Sequence, residues 1–256
     1  MDKITVIIFS YNNEKIINSC IKSAKLLSNN IILIDQESND QTIFLAKKML
    51  INVFKFPHCN WVEPARQFGI DKSITDWVFI LDADERITPA LAQEIRSRLN
   101  RDEIRNFTHY QIPRKNIFID RWLKYGGWWP DYQVRLINKK SLKNWPKEIH
   151  STPQIEGQGS IFKQPLLHYF HGNVESMVKK TIIFEDVESE LLFKAGWLVN
   201  SFIFFRKFFG ELYRRLVRSL GFLDGTVGII ESIYQAFSKT ITYLFLYEKN
   251  KNRRPV

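Results

Sequence analysis

An α/β fold, with a mostly parallel sheet flanked by helices and a helical C-terminal region, is predicted by three observations. Apolar runs of strand length alternate with helix-length segments over the first hundred residues, and those runs tend to end in clusters of polar residues. After about residue 173 the pattern changes to long helical periodicity. The runs are ITVIIFS (4–10), IILID (31–35), NVFKF (52–56) and WVFILDAD (77–84). Helical stretches are expected at about 14–27, 40–50 and 63–72, giving a βαβαβαβ order and hence a parallel sheet covered on both faces. Residues 86–100 read as a further helix, with Pro89 in its first turn.

Polar residues stand at three strand ends: Ser10-Tyr11-Asn12-Asn13, Asp35-Gln36-Glu37-Ser38 and Asp82-Ala83-Asp84-Glu85. Open α/β sheets bind ligands along such an edge. From about 107 to 169 the strands shorten and the loops are rich in aromatic residues and proline, which predicts an extension of the same domain over the crevice.

Farther on, Leu198, Phe202, Phe205, Phe209, Leu212, Leu216 and Leu220 recur at helical steps, predicting one continuous helix with an apolar face. Arg206, Lys207, Arg214, Arg215 and Arg218 fall on the other side of that wheel. Such a helix packs on the catalytic domain, lies on an anionic membrane surface, or buries its face in a homo-oligomer. A second helical segment is expected over 226–248.

With 45% hydrophobic and 25% charged residues, the 256-residue chain has the composition of a globular protein. A net charge of +10 predicts an anionic partner: nucleic acid, acidic lipid or a phosphorylated substrate. Nucleic acid is disfavoured, because the basic residues concentrate in the C-terminal amphipathic segment and no zinc-finger or RNA-recognition signature is present. Cys20 and Cys59 form neither a metal spacing nor a disulfide framework, so a reducing compartment is expected. No uncharged apolar run reaches the length that spans a bilayer. The expected location is the cytoplasm, peripheral on the cytosolic face of the inner membrane.

The stretch VFILDADE (78–85) carries the sharpest chemistry. Two carboxylates at i and i+2 after a buried strand can converge on one hard divalent cation that holds a diphosphate. The alternative is a solvated strand end.

Together, TVIIFSYNNE (5–14), IILIDQESNDQT (31–42), EPARQFGI (63–70) and WVFILDADE (77–85), in that order, resemble the inverting family 2 glycosyltransferases of GT-A fold. The later stretches YGGWWPDYQVRLINK, EIH and GFLDGTVG resemble the branch that includes lipopolysaccharide inner-core β-1,4-glucosyltransferases. The resemblance implies a catalytic domain over 1–172, with a nucleotide-sugar half (about 1–100) and an acceptor half (about 101–172). The remainder, 173–256, is then a helical membrane-association or oligomerisation region. It further implies transfer of a hexose, glucose first, from a UDP-sugar to a glycolipid or lipopolysaccharide core, with Mn²⁺ or Mg²⁺ as cofactor. A nucleotidyltransferase and a non-catalytic scaffold of the same fold are the alternatives.

Residue by residue, the resemblance implies donor contacts from Ser10, Tyr11, Asn13, Glu14, Asp35, Arg66 and Asp82. Tyr11 could instead be a packing residue, and Arg66 a surface ion-pair partner. Gln67 stands where the family commonly has asparagine, and Asp40 reads as secondary, an ordinary helix-start residue. Asp84 would ligate the metal directly, with Asp82 and His150 as further metal contacts. Asp131 is the expected general base, with Glu148 in reserve. Trp128, Trp129 and Arg135 would meet the acceptor, the two tryptophans by stacking on a sugar or by lid packing.

Overall fold

A computed structural model describes residues 3–101, 103–170 and 174–252. The chain forms two compact units, one comprising Met1–Lys115 and Asp131–His168, the other Asn116–Pro130 and Tyr169–Val256.

The first unit opens with the expected alternation: β1 (Ile4–Ser10), α1 (Ile17–Ala24), β2 (Ile31–Asp35), α2 (Thr42–Lys48), β3 (Asn52–Lys55), α3 (Glu63–Lys72) and β4 (Trp77–Asp82). The four strands run parallel in the order β3-β2-β1-β4. The apolar runs of β1, β2 and β4 are continuous because both faces are covered, whereas β3 is a half-exposed edge strand. Val6 and Ile8 of β1 join Leu33, Phe79 and Leu81 in one core layer with Ile17 and Ile21 of α1. Ile7 and Phe9 join Ile32, Ile34 and Ile80 in the opposite layer with Ala65 and Ile70 of α3. Burying each such side chain stabilises by roughly 1.5–3 kcal/mol, so this layered pattern specifies the sheet. Gly69 lets α3 approach closely: a Cβ there would lie 2.9 Å from both Ile7 and Phe9 side chains.

After β4 the chain makes a short strand, β5 (Glu85–Ile87), before α4 (Pro89–Asn100). Residues 86–88 are therefore not helical as expected. Arg86 and Ile87 are paired in the sheet, and the Thr88 side chain accepts a hydrogen bond from Leu91 N, capping α4 at its start. Next come β6 (His109–Phe118), β7 (Arg121–Trp122), β8 (Asp131–Asn138), β9 (Leu142–Asn144), β10 (Gln154–Ile155), β11 (Gly159–Ile161) and β12 (Leu166–Tyr169). The main sheet continues β4-β8-β6-β12-β5, with β8 antiparallel to both β4 and β6. β9 and β10 form a separate ribbon.

Two registers position the site. Phe9 lies opposite Asp82 and Ser10 opposite Asp35, so the carboxyl ends of β1, β2 and β4 are level. β5 pairs antiparallel with β12, placing His168 opposite Glu85.

The second unit contains the end of β6 paired to β7, and three long helices: α5 (Val174–Lys194), α6 (Ser201–Leu212) and α7 (Gly225–Asn252). At about 1.5 Å per residue, α7 extends roughly 40 Å. A small core joins Phe118, Leu123, Phe170 and Met177, with Trp128, Val227 and Tyr234 packed against it. The GFLDGTVG stretch is an anchor within this unit. Asp224, 4% exposed, accepts hydrogen bonds from Lys124 N (2.9 Å) and Tyr125 N (2.8 Å). Gly228 has no room for a side chain, since a Cβ would meet Gly221 O at 2.1 Å.

These contacts place the division elsewhere than the sequence suggests. Asn116–Pro130 belongs with the helices, while the expected boundary at 172 falls outside the described residues.

The expected single helix over 198–220 is interrupted. It begins after Leu198, where the Asn200 side chain caps Ile203 N, and it passes into a π-helical turn at Tyr213–Arg218. Leu220 then takes a left-handed conformation (φ 56°). The basic face is only partly open: Lys207 lies over the Tyr243 ring, and Glu211 accepts from Arg214 and Arg215. The apolar stripe is exposed, with Phe202, Phe205 and Phe209 at 70%, 65% and 58%. Among the described residues, no helix is long and apolar enough to cross a membrane.

Candidate active site

The acids of VFILDADE meet a set of arginines at the carboxyl edge of the sheet. Asp82 ends β4 and takes two guanidiniums: Arg66 Nη2 at 2.7 Å from Oδ1, and Arg135 Nη2 at 2.8 Å from Oδ2. Arg66 comes from α3, where it also lies over the Phe9 ring at 4.6 Å and the Trp145 ring at 5.5 Å. Burial alone would raise the Asp82 pKa, but Arg66 and Arg135 hold it below the ordinary carboxylate range.

Glu85 is completely buried, not solvated. Its Oε1 accepts from Arg135 Nη2 at 2.6 Å and pairs with Arg114 Nη1 at 3.4 Å. Burial would lower the Arg135 pKa, yet Glu85 and Asp82 keep it raised. Arg114 in turn holds Asp131, through Nε at 2.9 Å and Nη2 at 2.7 Å to Oδ2. The result is one chain of alternating charge: Arg66, Asp82, Arg135, Glu85, Arg114, Asp131.

The pairing of β8 explains the geometry: Tyr110 lies opposite Leu136 but Gln111 opposite Val134, so Arg135 is the extra residue at a register shift, a place where side chains are re-aimed. Arg135, expected among the acceptor contacts, has its guanidinium turned to Asp82 and Glu85.

Asp84 lies two residues beyond Asp82, and its Oδ2 is 3.7 Å from His168 Nε2. The histidine beside the acids is therefore His168. His150, the expected metal contact, sits at the start of α3, with its backbone N–H donating to Glu63 at 3.0 Å. Nothing local in LLHY signals this, because the β5–β12 pairing brings together positions more than eighty residues apart.

The Asp84 carboxylate fits a hard divalent cation that keeps open positions for phosphate oxygens, since such ions are commonly held at nucleotide sites by one or two carboxylates; the His168 nitrogen beside it is a softer donor. Asp82 fits the ion less well, with both oxygens occupied by guanidiniums. Among the described residues, no group of three or more acids, histidines or cysteines is arranged to hold a metal.

At the ends of β1 and β2 the expected donor residues form a hydrogen-bonded rim. Asn13 Oδ1 accepts from Ser10 Oγ (3.0 Å) and Tyr11 N (3.1 Å). Glu14 accepts from Gln41 N (3.0 Å), and its own N–H donates to Asp40 (3.0 Å). Asp35, fully buried, accepts from Ser38 N (2.9 Å) and Ser38 Oγ (2.6 Å). The Tyr11 ring stacks on His58 with centroids 4.0 Å apart, at the surface and not in the core. His58 and Arg114 are the rim and wall residues that sequence reading missed.

The arginines have capacity to spare. Arg66 Nε and Nη1 and Arg135 Nε are buried and make no hydrogen bond among the described residues. Buried donors of this kind are costly unless something accepts from them, and a diphosphate offers such acceptors in bidentate geometry.

Glu148 is exposed in the loop between β9 and β10. Trp128 and Trp129 belong to the helical unit, where Trp128 packs on Phe170 (4.8 Å) beneath Arg215 (5.2 Å) and Trp129 meets Trp122 edge-on (5.3 Å). Both tryptophans thus have packing partners of their own.

Comparison with known proteins follows the same lines. The family model described as Glycosyl transferase family 2 matches residues 5–154. An uncharacterized glycosyltransferase of Rickettsia conorii is 25% identical over 274 residues, spanning 98% of this chain and 93% of that protein. A second, from Rickettsia prowazekii, is 26% identical, spanning 93% and 85%. Among solved structures, S. aureus TarS 1–349 in complex with UDP-GlcNAc is similar at TM-score 0.52 and 12% identity, covering 98% of this chain and 92% of that one. Glucosyl-3-phosphoglycerate synthase from Mycobacterium tuberculosis, in complex with Mn²⁺, UDP and phosphoglyceric acid, is similar at TM-score 0.50 and 15% identity, covering 77% and 80%.

Proposed function

The chain belongs to glycosyltransferase family 2 and has the GT-A fold, and from that premise we propose that it transfers a hexose from a UDP-sugar to a sugar hydroxyl with inversion. Glucose is the proposed hexose, and a glycolipid or lipopolysaccharide core the proposed acceptor. The observation that carries this reading is the continuous chain from Arg66 to Asp131, with Asp84 and His168 beside it.

Each residue then has a task. Tyr11 and Asp35 line the nucleoside end. Arg66 donates to the diphosphate through the nitrogens that lack partners, and Arg135 keeps Asp82 aligned at its edge. Asp131 accepts the proton of the attacking hydroxyl as its oxygen displaces the diphosphate from the anomeric carbon. Asp84 and His168 would hold Mn²⁺ or Mg²⁺, which supplies positive charge for the departing diphosphate. The family 2 match favours a glycosyltransferase over a nucleotidyltransferase.

The helical unit is proposed to rest peripherally on the cytosolic face of an anionic membrane. In support, the Phe202, Phe205 and Phe209 stripe is exposed, and residues 194–220 contain six basic residues and one acidic.

The decisive experiment is calorimetric titration of UDP, UDP-glucose and GDP-mannose into wild type and Asp84→Ala, with and without Mn²⁺. Metal-dependent uridine-nucleotide binding that disappears in the variant is expected. A folded wild type that binds no nucleotide would reduce the protein to a non-catalytic scaffold.

A further inference from the structure

Arg114 and Asp131 face each other as directly paired residues across β6 and β8. Arg114 uses all three guanidinium nitrogens: Nε and Nη2 on Asp131 Oδ2, and Nη1 toward Glu85 Oε1 at 3.4 Å. Gln133 Nε2 donates to the other Asp131 oxygen at 2.8 Å. Glu85 cannot shift easily, being fully buried on a paired strand with Arg135 Nη2 2.6 Å from the same oxygen.

On the proposed reading of Asp131 as the base, we infer that Arg114 is a positioning residue that fixes the aim of the Asp131 carboxylate, and that Glu85 is the fixed point holding Arg114. A planar guanidinium fork restrains carboxylate rotation in a way a point charge does not. Without it, Asp131 Oδ2 would lose both of its Arg114 hydrogen bonds, and rotation about the terminal torsion would move the proton-accepting oxygen. Displacement by about 1 Å at a reacting group is enough to cost on the order of a hundredfold in rate. Glu85 is also the third acid of DADE, so one short stretch serves Asp84 at the ion and, through two arginines, the base on β8. This gives the acid that the sequence left ambiguous a task inside the site without contact to substrate.

The test compares wild type, Arg114→Gln, Arg114→Lys and Asp131→Asn. UDP release from UDP-glucose, with water as acceptor, gives kcat and KM, and calorimetry gives UDP affinity. Arg114→Gln is expected to lower kcat by roughly a hundredfold, with KM and UDP affinity within about threefold of wild type. Arg114→Lys, which keeps the charge but loses the fork, should recover at most about tenfold of that loss.

Turnover within threefold of wild type in Arg114→Gln would overturn the inference, as would a parallel fall in kcat and UDP binding, the mark of a purely structural residue. If the Gln variant misfolds, the Lys variant decides alone: reduced kcat at wild-type UDP affinity supports the inference, and wild-type turnover overturns it. A wild type that binds no UDP, or an Asp131→Asn variant with undiminished turnover, would bring down the functional reading itself and this inference with it.

Discussion

In the sheet unit Asp82, Glu85 and Asp131 are each held by at least one arginine, and Glu85 is completely buried. In the helical unit Phe202, Phe205 and Phe209 stand in solvent, while a carboxyl group, Glu231, is 1% exposed. The first unit thus takes charge into a chain of paired acids and arginines, with Arg66 and Arg135 nitrogens left over. The second leaves apolar area uncovered and buries an acid whose pKa is pushed up to about 7, because burial outweighs the Gln235 hydrogen bond and the Arg215 charge. Charges that are paired inside a fold position chemistry, whereas a contiguous exposed apolar stripe marks a surface built for another phase or partner.

The contrast breaks most readily at Arg135. Arg135→Met leaves Asp82 and Glu85 each short of one guanidinium, and breaking a buried pair from one side costs about 3–5 kcal/mol. Denaturant unfolding should show that loss, and stability unchanged within about 1 kcal/mol would mean the chain is not an energetic unit.

A smaller effect of opposite sign is expected at Glu231. Its folded-state pKa of about 7 lies above the ordinary glutamate value of about 4.5. The group therefore stabilises the fold fully at pH below the lower value and loses that contribution as pH rises through the upper one. Glu231→Gln removes the penalty, so unfolding at pH 8 should show a gain of about 2–3 kcal/mol that shrinks toward zero near pH 5. An equal gain at both pH values would point to packing, not ionisation.

The smallest stability change, within about 0.5 kcal/mol, is expected for replacing Phe202, Phe205 and Phe209 together by serine, since the side chains are exposed. The same variant should sediment markedly less with anionic vesicles. Unchanged sedimentation would remove the membrane role, and a large loss of stability would show that the stripe packs within the protein.

Much of the sheet edge that carries the candidate site was legible in the sequence. The runs 4–10, 31–35 and 77–82 are apolar without a break because both strand faces are buried, and the acids after them mark the ends. Asp82, Asp84, Arg66 and Asp131 could be singled out because each lies next to an element whose period is strong.

What remained illegible depends on pairing between distant strands. The β5–β12 register puts His168 beside Asp84. The β6–β8 register gives Asp131 its Arg114, and the shift in that register falls at Arg135, which meets Asp82. The helical unit shows the same limit: periodicity predicted an unbroken helix over 198–220, but the Asn200 cap and the π-helical turn interrupt it. Likewise the GFLDGTVG motif was visible, but its purpose became clear only once Asp224 met the Lys124 and Tyr125 amides about a hundred residues away.

By itself, then, the sequence determined the parallel α/β half, its ligand edge and the residue types of the site, because those follow from local periodicity and from where buried runs end. Tertiary structure alone decided which histidine faces Asp84, which arginine holds Asp131, and to which unit residues 116–130 belong. Those outcomes follow from strand register and long-range hydrogen bonding, whose partners are remote along the chain and leave no local pattern to read.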